Sequence, residues 1–166
     1  MAMSEETRGL DPNKARAGFC RHSAQKLLKD SGITGLPVPV DALAQKLGIT
    51  ISITELPVGM DGRLTETAHG LQLELAQGQS RVRHRFTIAH ELGHRVLQHY
   101  RQETKVAESE ANIFAGTLLV PGEWLRKDVK ASPSASIQEL AQRYDVSTSV
   151  ILIAAEGARL LPLLHK

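Results

Sequence analysis

Ser80 to Tyr100 reads SRVRHRFTIAHELGHRVLQHY. Within it His90, Glu91 and His94 stand in the order H-E-x-x-H. On an α-helix, residues four apart lie nearly above one another, because each residue turns the chain by about 100°. The imidazoles of His90 and His94 would then aim at one spot, where two neutral rings can hold a zinc ion at about 2.0–2.1 Å each. Glu91 lies about a quarter-turn away, so its carboxylate can reach a water at such an ion without being a ligand. Two ligands and a base beside a metal make the arrangement used for metal-assisted hydrolysis. Two surface histidines in chance register are the bland alternative.

The stretch reads as a helix. Val82, Phe86, Ala89, Gly93, Val96, Leu97 and Tyr100 step by three and four and make one apolar stripe, while Arg83, Thr87, Glu91, His94 and Gln98 fall off it. Ser80 is an expected N-cap, since its hydroxyl can accept an amide of the first turn. Arg81, Arg83 and Arg85 oppose the macrodipole at the helix start, so either carboxylate partners offset them or they form a solvated face. The solvated face is the expectation.

A catalytic zinc site typically takes three protein ligands. Lys105 to Leu119, KVAESEANIFAGTLL, is the next predicted helix. Glu108 and Asn112 are four apart on one face. Glu108 could close the metal site while Asn112 hydrogen-bonds a ligating imidazole and fixes its tautomer. Glu110 points about 200° away from Glu108, so both cannot be ligands. For Glu108 the competing reading is a surface carboxylate favoured by the helix dipole.

The 166 residues suggest one domain with a real core, at 42% hydrophobic and 23% charged residues. Aromatics are only 4%, so that core should be mostly aliphatic. A net charge of +2 gives no strong electrostatic case for nucleic acid. Cys20 is the only cysteine, which excludes an intrachain disulfide and fits a reducing compartment. The polar N-terminus has no signal-peptide core, and no apolar run approaches a membrane span. A cytoplasmic protein is expected.

Along the chain, residues 1–10 are expected to be disordered, and 11–166 to form a single domain. Asp11-Pro12 looks like a helix start, with the helix ending near Ser31 at Gly32. Cys20 within it should be a buried, inert thiol. Asp41 is the expected cap of a short helix, Ala42 to Leu47, stopped by Gly48. Ile49 to Ile53 alternates as a half-buried strand, and Leu71, Leu73 and Leu75 alternate in a second, with Arg63 to Glu66 pairing beside it. An exposed strand near a metal can take substrate by strand addition, and Leu71, Leu73 and Leu75 are the candidates. A strand that merely supports the core fits as well. Trp124, in the helix Glu123 to Lys130, should pack rather than bind. Ser136-Ile-Gln-Glu139 matches a capping box. Residues 136–158 look like a helix-turn-helix, with Ser147 capping the second helix, but that helix is too apolar to read bases, so a packing unit is expected. His69, His84, His99, Tyr100 and Tyr144 could each assist an oxyanion, and nothing in the sequence chooses among them.

RFTIAHELGH at Arg85 to His94, followed by the E-x-x-A-N pattern and apolar run at Glu108 to Pro121, resembles the ImmA/IrrE family of metallopeptidases. The upstream LPVPVDALAQKLGI, Leu36 to Ile49, is similar too. The resemblance covers roughly Ala15 to Pro121 and, more weakly, the C-terminal helices. It implies that His90, His94 and Glu108 bind zinc, that Glu91 is catalytic, and that the substrate is a helix-turn-helix transcriptional repressor. Gly116, where alanine is usual, and Val120, where methionine is commoner, depart from the pattern. Gly116 should cost about 1 kcal/mol within a helix unless it permits close packing.

The expectation is an α+β, zincin-like fold: a small twisted sheet against the metal helix and its partner, with flanking N- and C-terminal helices. The expected activity is zinc-dependent peptide-bond hydrolysis, with Mn2+ or Fe2+ as other possible metals. A non-cleaving module that sequesters a repressor or antitoxin is the rival. Direct DNA binding through residues 136–158 is a third option, and no membrane partner is expected.

Overall fold

The computed structural model describes residues 14–99 and 104–164. Seven α-helices and three strands are found among them: α1 (Ala17–Asp30), α2 (Val40–Lys46), β1 (Ile49–Thr54), β2 (Gly62–Thr67), β3 (Gly70–Ala76), α3 (Arg81–Val96), α4 (Lys105–Leu119), α5 (Gly122–Ala131), α6 (Ile137–Tyr144) and α7 (Thr148–Gly157). The α+β expectation holds. One aliphatic cluster, with Phe114 and Tyr144 as its large aromatics, joins residues from Cys20 to Leu160.

The sheet order is β1-β3-β2, with β1 parallel and β2 antiparallel to β3. The two-residue turn Ala68-His69 joins β2 to β3 and throws Gly70 to φ 116°. The register sets Ile51 opposite Leu73 on one side and Leu64 opposite Leu73 on the other. The alternation read from sequence therefore finds the strands but misplaces the exposed one. β3 is central, both of its edges are paired, and Leu73 and Leu75 are buried. Strand addition at Leu71, Leu73 and Leu75, expected from the alternation, finds no free backbone edge because β1 and β2 occupy both. The bland reading, a core-supporting strand, is the one the sheet order fits.

α3 lies against β2 and β3 and packs along α4, which in turn packs on α1; α6 and α7 pair with each other, and α7 leans on α4 and α5. Ser80 caps α3 by accepting from Arg83 N–H. The buried face of α3 is Arg85, Ile88, Ala89, Leu92 and Gly93, with Thr87 at its border. Tyr100, the last residue of the predicted stripe, lies outside the described residues.

The arginine run is a solvated face only in part: the Arg81 and Arg83 side chains are 74% and 59% exposed, while Arg85 turns inward. Arg81 pairs with Asp145, Arg83 with Asp61, and Arg85, only 4% exposed, reaches Asp145 O at 2.9 Å and Val38 O at 3.0 Å. Asp145 can serve two arginines because it ends α6 in the left-handed region, φ 53°. Aspartate tolerates that conformation better than most residues.

Several ends differ from expectation. Residues 14–16 are not helical and α1 starts at Ala17, because the Arg16 amide is engaged by Glu110 rather than by a helix. Asp11-Pro12 and residues 1–10 lie outside the described residues. α2 is entered through Pro39, so Asp41 sits in the first turn, where its charge suits the dipole, and does not cap. The capping box at Ser136 and Glu139 forms in full. Ser147 occupies its N-cap position without a side-chain bond to the helix; its hydroxyl meets Ser149 instead. Trp124 is half-buried against the core, and Cys20 is fully buried.

Candidate metal centre

The centre is built where α3 and α4 cross. Gly93 makes the crossing close: a Cβ there would come within 3.1 Å of Phe114 Cδ1 and 3.2 Å of the Ala111 backbone. With no side chain in the way, the first turns of α4 approach the His90 to His94 face. His90 Nε2 and His94 Nε2 lie 3.0 Å apart, and Glu108 places one oxygen 3.2 Å from the first and the other 3.0 Å from the second. Metal–ligand bonds of about 2.0–2.1 Å in a tetrahedron imply donor–donor edges of about 3.3 Å. The three donors are spaced to fit one divalent ion. Two imidazoles and a carboxylate are also a donor set that zinc, manganese or iron accepts. The histidine side chains are 15% and 16% exposed, and Glu108 is 51% exposed, so the cluster opens to solvent on the Glu108 side.

Each imidazole is held from behind. Asn112 Oδ1 lies 2.9 Å from His90 Nδ1, the pairing that the spacing of Glu108 and Asn112 predicts. Behind His94 stands His99, Nδ1 to Nδ1 at 3.0 Å. His99 Nε2 is 2.8 Å from Glu110 Oε2. Glu110 is 2% exposed and accepts from the Arg16 amide at 2.8 Å and from the Arg16 guanidinium at 2.9 and 2.8 Å. These hydrogen bonds hold its carboxyl at about 2, well below the ordinary 4.5. The sequence weighs Glu110 only as the rival of Glu108 for the third ligand position and gives no sign of this supporting role. The H-x3-H-x4-H spacing was the one available signal for His99.

Glu91 is half-buried on the same helix. Burial, reinforced by the neighbouring Glu108 charge, raises its carboxyl above the ordinary range against the pull of His90. Burial and His90 together lower the His94 imidazole, with Glu108 opposing. The other oxyanion candidates are occupied or distant in role: His84 Nε2 faces Ala76 O at 2.7 Å, and Tyr144 is fully buried, donating to Asp128 at 2.7 Å. His69 sits in the exposed β2–β3 turn. A cavity of about 330 Å³ between α1, α4, α5 and α7 includes none of the three donors in its lining.

Residues 44–156, about two thirds of the chain, match the profile of the Peptidase_M78 family, described as the IrrE N-terminal-like domain, and the chain belongs to that family. Membership places it among metallopeptidase-like proteins and makes a metal the expected occupant of the cluster. The match runs through α7, further than the motif-bearing segment alone. A solved Mycobacterium tuberculosis transcriptional regulator shares the fold at a TM-score of 0.62 and 20% identity, over 82% of this chain and 46% of that one. The chain thus spans about half the length of that structure. No curated protein matches this chain. No described helix is long and apolar enough to cross a membrane.

Proposed function

We propose that this chain is a single-domain, metal-dependent endopeptidase of a cytoplasmic setting, with His90, His94 and Glu108 as ligands, Glu91 as general base and Asn112 orienting His90. The observation that carries the proposal is the convergence of the three donors, edges of 3.0 to 3.2 Å, beside the Glu91 carboxylate. A bound zinc would supply Lewis acidity at the scissile carbonyl and lower the pKa of a coordinated water towards about 7. Glu91 takes the proton as the water oxygen bonds to the carbonyl carbon. It then delivers that proton to the amine nitrogen as the C–N bond breaks. Asn112 accepts from His90 Nδ1–H, which leaves Nε2 free for the metal.

Substrate added as a strand would use β2, the sheet edge that packs against α3. Ala76 N–H donates to Asp61 O, and alternation from that pair turns the backbone groups of Gly62, Leu64 and Glu66 outward. The substrate class, a helix-turn-helix transcriptional repressor, rests on the family resemblance. Zinc is the proposed metal, with manganese and iron as substitutes for the same donors.

The test is incubation of the metal-loaded protein and its Glu91→Gln variant with a candidate repressor, read as discrete fragments. The variant is expected to keep its metal and lose cleavage by about 10²- to 10⁴-fold. If neither protein cuts while both relieve repression equally, the chain sequesters rather than hydrolyses.

A further inference from the structure

We propose that His99 and Glu110, held by Arg16, are positioning residues for His94: a carboxylate–imidazole relay that fixes the tautomer and the angle of one metal ligand. The inference rests on the metal-centre reading above.

Nδ1 of His94 and Nδ1 of His99 are 3.0 Å apart, so only one of the two can carry a hydrogen. With His94 Nε2 committed to the donor cluster, its hydrogen must sit on Nδ1 and be donated to His99. His99 Nδ1 then accepts, and the His99 hydrogen sits on Nε2, 2.8 Å from Glu110 Oε2. Glu110 only accepts, and Arg16 supplies its remaining donors through one backbone and two guanidinium nitrogens. One assignment of hydrogens satisfies every member of the row.

The backbone serves the same arrangement. α3 ends in a Schellman turn: His99 N–H donates to His94 O at 2.9 Å and Gln98 N–H to Arg95 O at 3.3 Å. Gln98 sits at φ 59°, the left-handed position where glycine is usual and a side chain crowds the backbone. That turn carries His99 back over the ring of His94. The His99 and Glu110 side chains are 5% and 3% exposed, so solvent does not share their hydrogen bonds. The two ligands are therefore backed differently: His90 by a neutral amide, His94 by a carboxylate acting through a second ring. A partner of this kind orients the ligand and raises its basicity, and its loss typically costs about 10- to 100-fold in metal affinity.

The experiment uses the full chain loaded with one Zn2+. Long-range ¹H–¹⁵N correlation of the histidine rings is expected to show His94 protonated at Nδ1 and His99 at Nε2. Zn2+ affinity, by competition with a chromophoric chelator, is expected to fall about 10- to 100-fold in His99→Leu. His99→Asn, whose amide oxygen can stand where Nδ1 stood, should restore most of it. Zn2+-loaded chain with the His99 hydrogen on Nδ1, or His99→Leu binding as tightly as the parent, overturns the relay and leaves the metal centre intact. Failure of the parent chain to bind one Zn2+ overturns the metal centre and the relay with it.

Discussion

Glu108 and Glu110 stand two residues apart on α4 and live in opposite worlds. Glu108 faces the α3 histidines and is half exposed; Glu110 faces α1 and is buried under Arg16. The first is spaced to join an ion, and its carboxylate pairs with the two α3 histidines. The second is locked by Arg16, 94 positions away, and by His99, and ties the start of α1 to the end of α3. One helix thus carries a side facing the donor cluster and a scaffolding side, separated by about 200° of rotation.

The sharpest way to break this contrast is to remove each carboxylate in metal-free protein. Glu110→Ala strands Arg16 and His99 and is expected to cost about 3 kcal/mol, the low end for a broken buried pair, because Arg16 can turn to water. Glu108→Ala should change metal-free stability by no more than about 0.5 kcal/mol yet abolish tight metal binding. Urea unfolding and chelator competition measure the two; equal stability losses would erase the distinction.

A smaller effect separates two helical glycines, Gly93 at the α3–α4 contact and Gly116 on the face of α4 towards α7. Gly93→Ala pushes a methyl into Ala111 and Phe114 and should cost about 1–3 kcal/mol while prising the donors apart. At Gly116 a new Cβ would meet only Ile153 Cγ2, at an ordinary 3.8 Å. The close-packing role that would excuse a helical glycine therefore belongs to Gly93, and Gly116→Ala should stabilise by up to about 1 kcal/mol. Thermal midpoints of the two variants test the pair.

The smallest effect is a pH signature on the scaffolding side. Burial, with the Glu110 charge adding to it, pushes the Cys20 thiol up to about 11 from 9.0. The native state holds the proton longer than the unfolded chain, so this contribution is fully present below about 9 and lost as pH rises to about 11. A thiol reagent at pH 8 should label Cys20 only at the rate of unfolding; rapid labelling of folded protein would contradict its burial.

The side facing the donor cluster was the more legible from sequence. Helical spacing alone brings His90 to His94 and Glu108 to Asn112, and alternation finds β1 and β3, because these signals are local. What escaped depends on long-range pairing. Alternation is the same for a central and an edge strand, so it could not tell that β3 has neighbours on both sides. Arg85 looks like one of three solvated cations until Asp145, 60 residues on, takes it into the interior. Arg16 and Glu110 carry no local pattern linking them, and His99 joins only because Gln98 turns the chain back. Asp41 and the start of α1 were misread for a related reason: a good cap residue was present, but tertiary contacts chose where the helix began.

The left-handed Asp145 has a consequence for how the domain tolerates cutting. Its carboxylate neutralises, and its carbonyl accepts a hydrogen bond from, a guanidinium that has almost no access to water, on the very helix that carries both imidazole donors. A fragment ending ahead of that aspartate would strand an interior cation, at roughly 3–5 kcal/mol, and would lose its donor helix along with its tail. The C-terminal pair is therefore no detachable appendage: truncation from that end is a cut into the support of the donor helix itself.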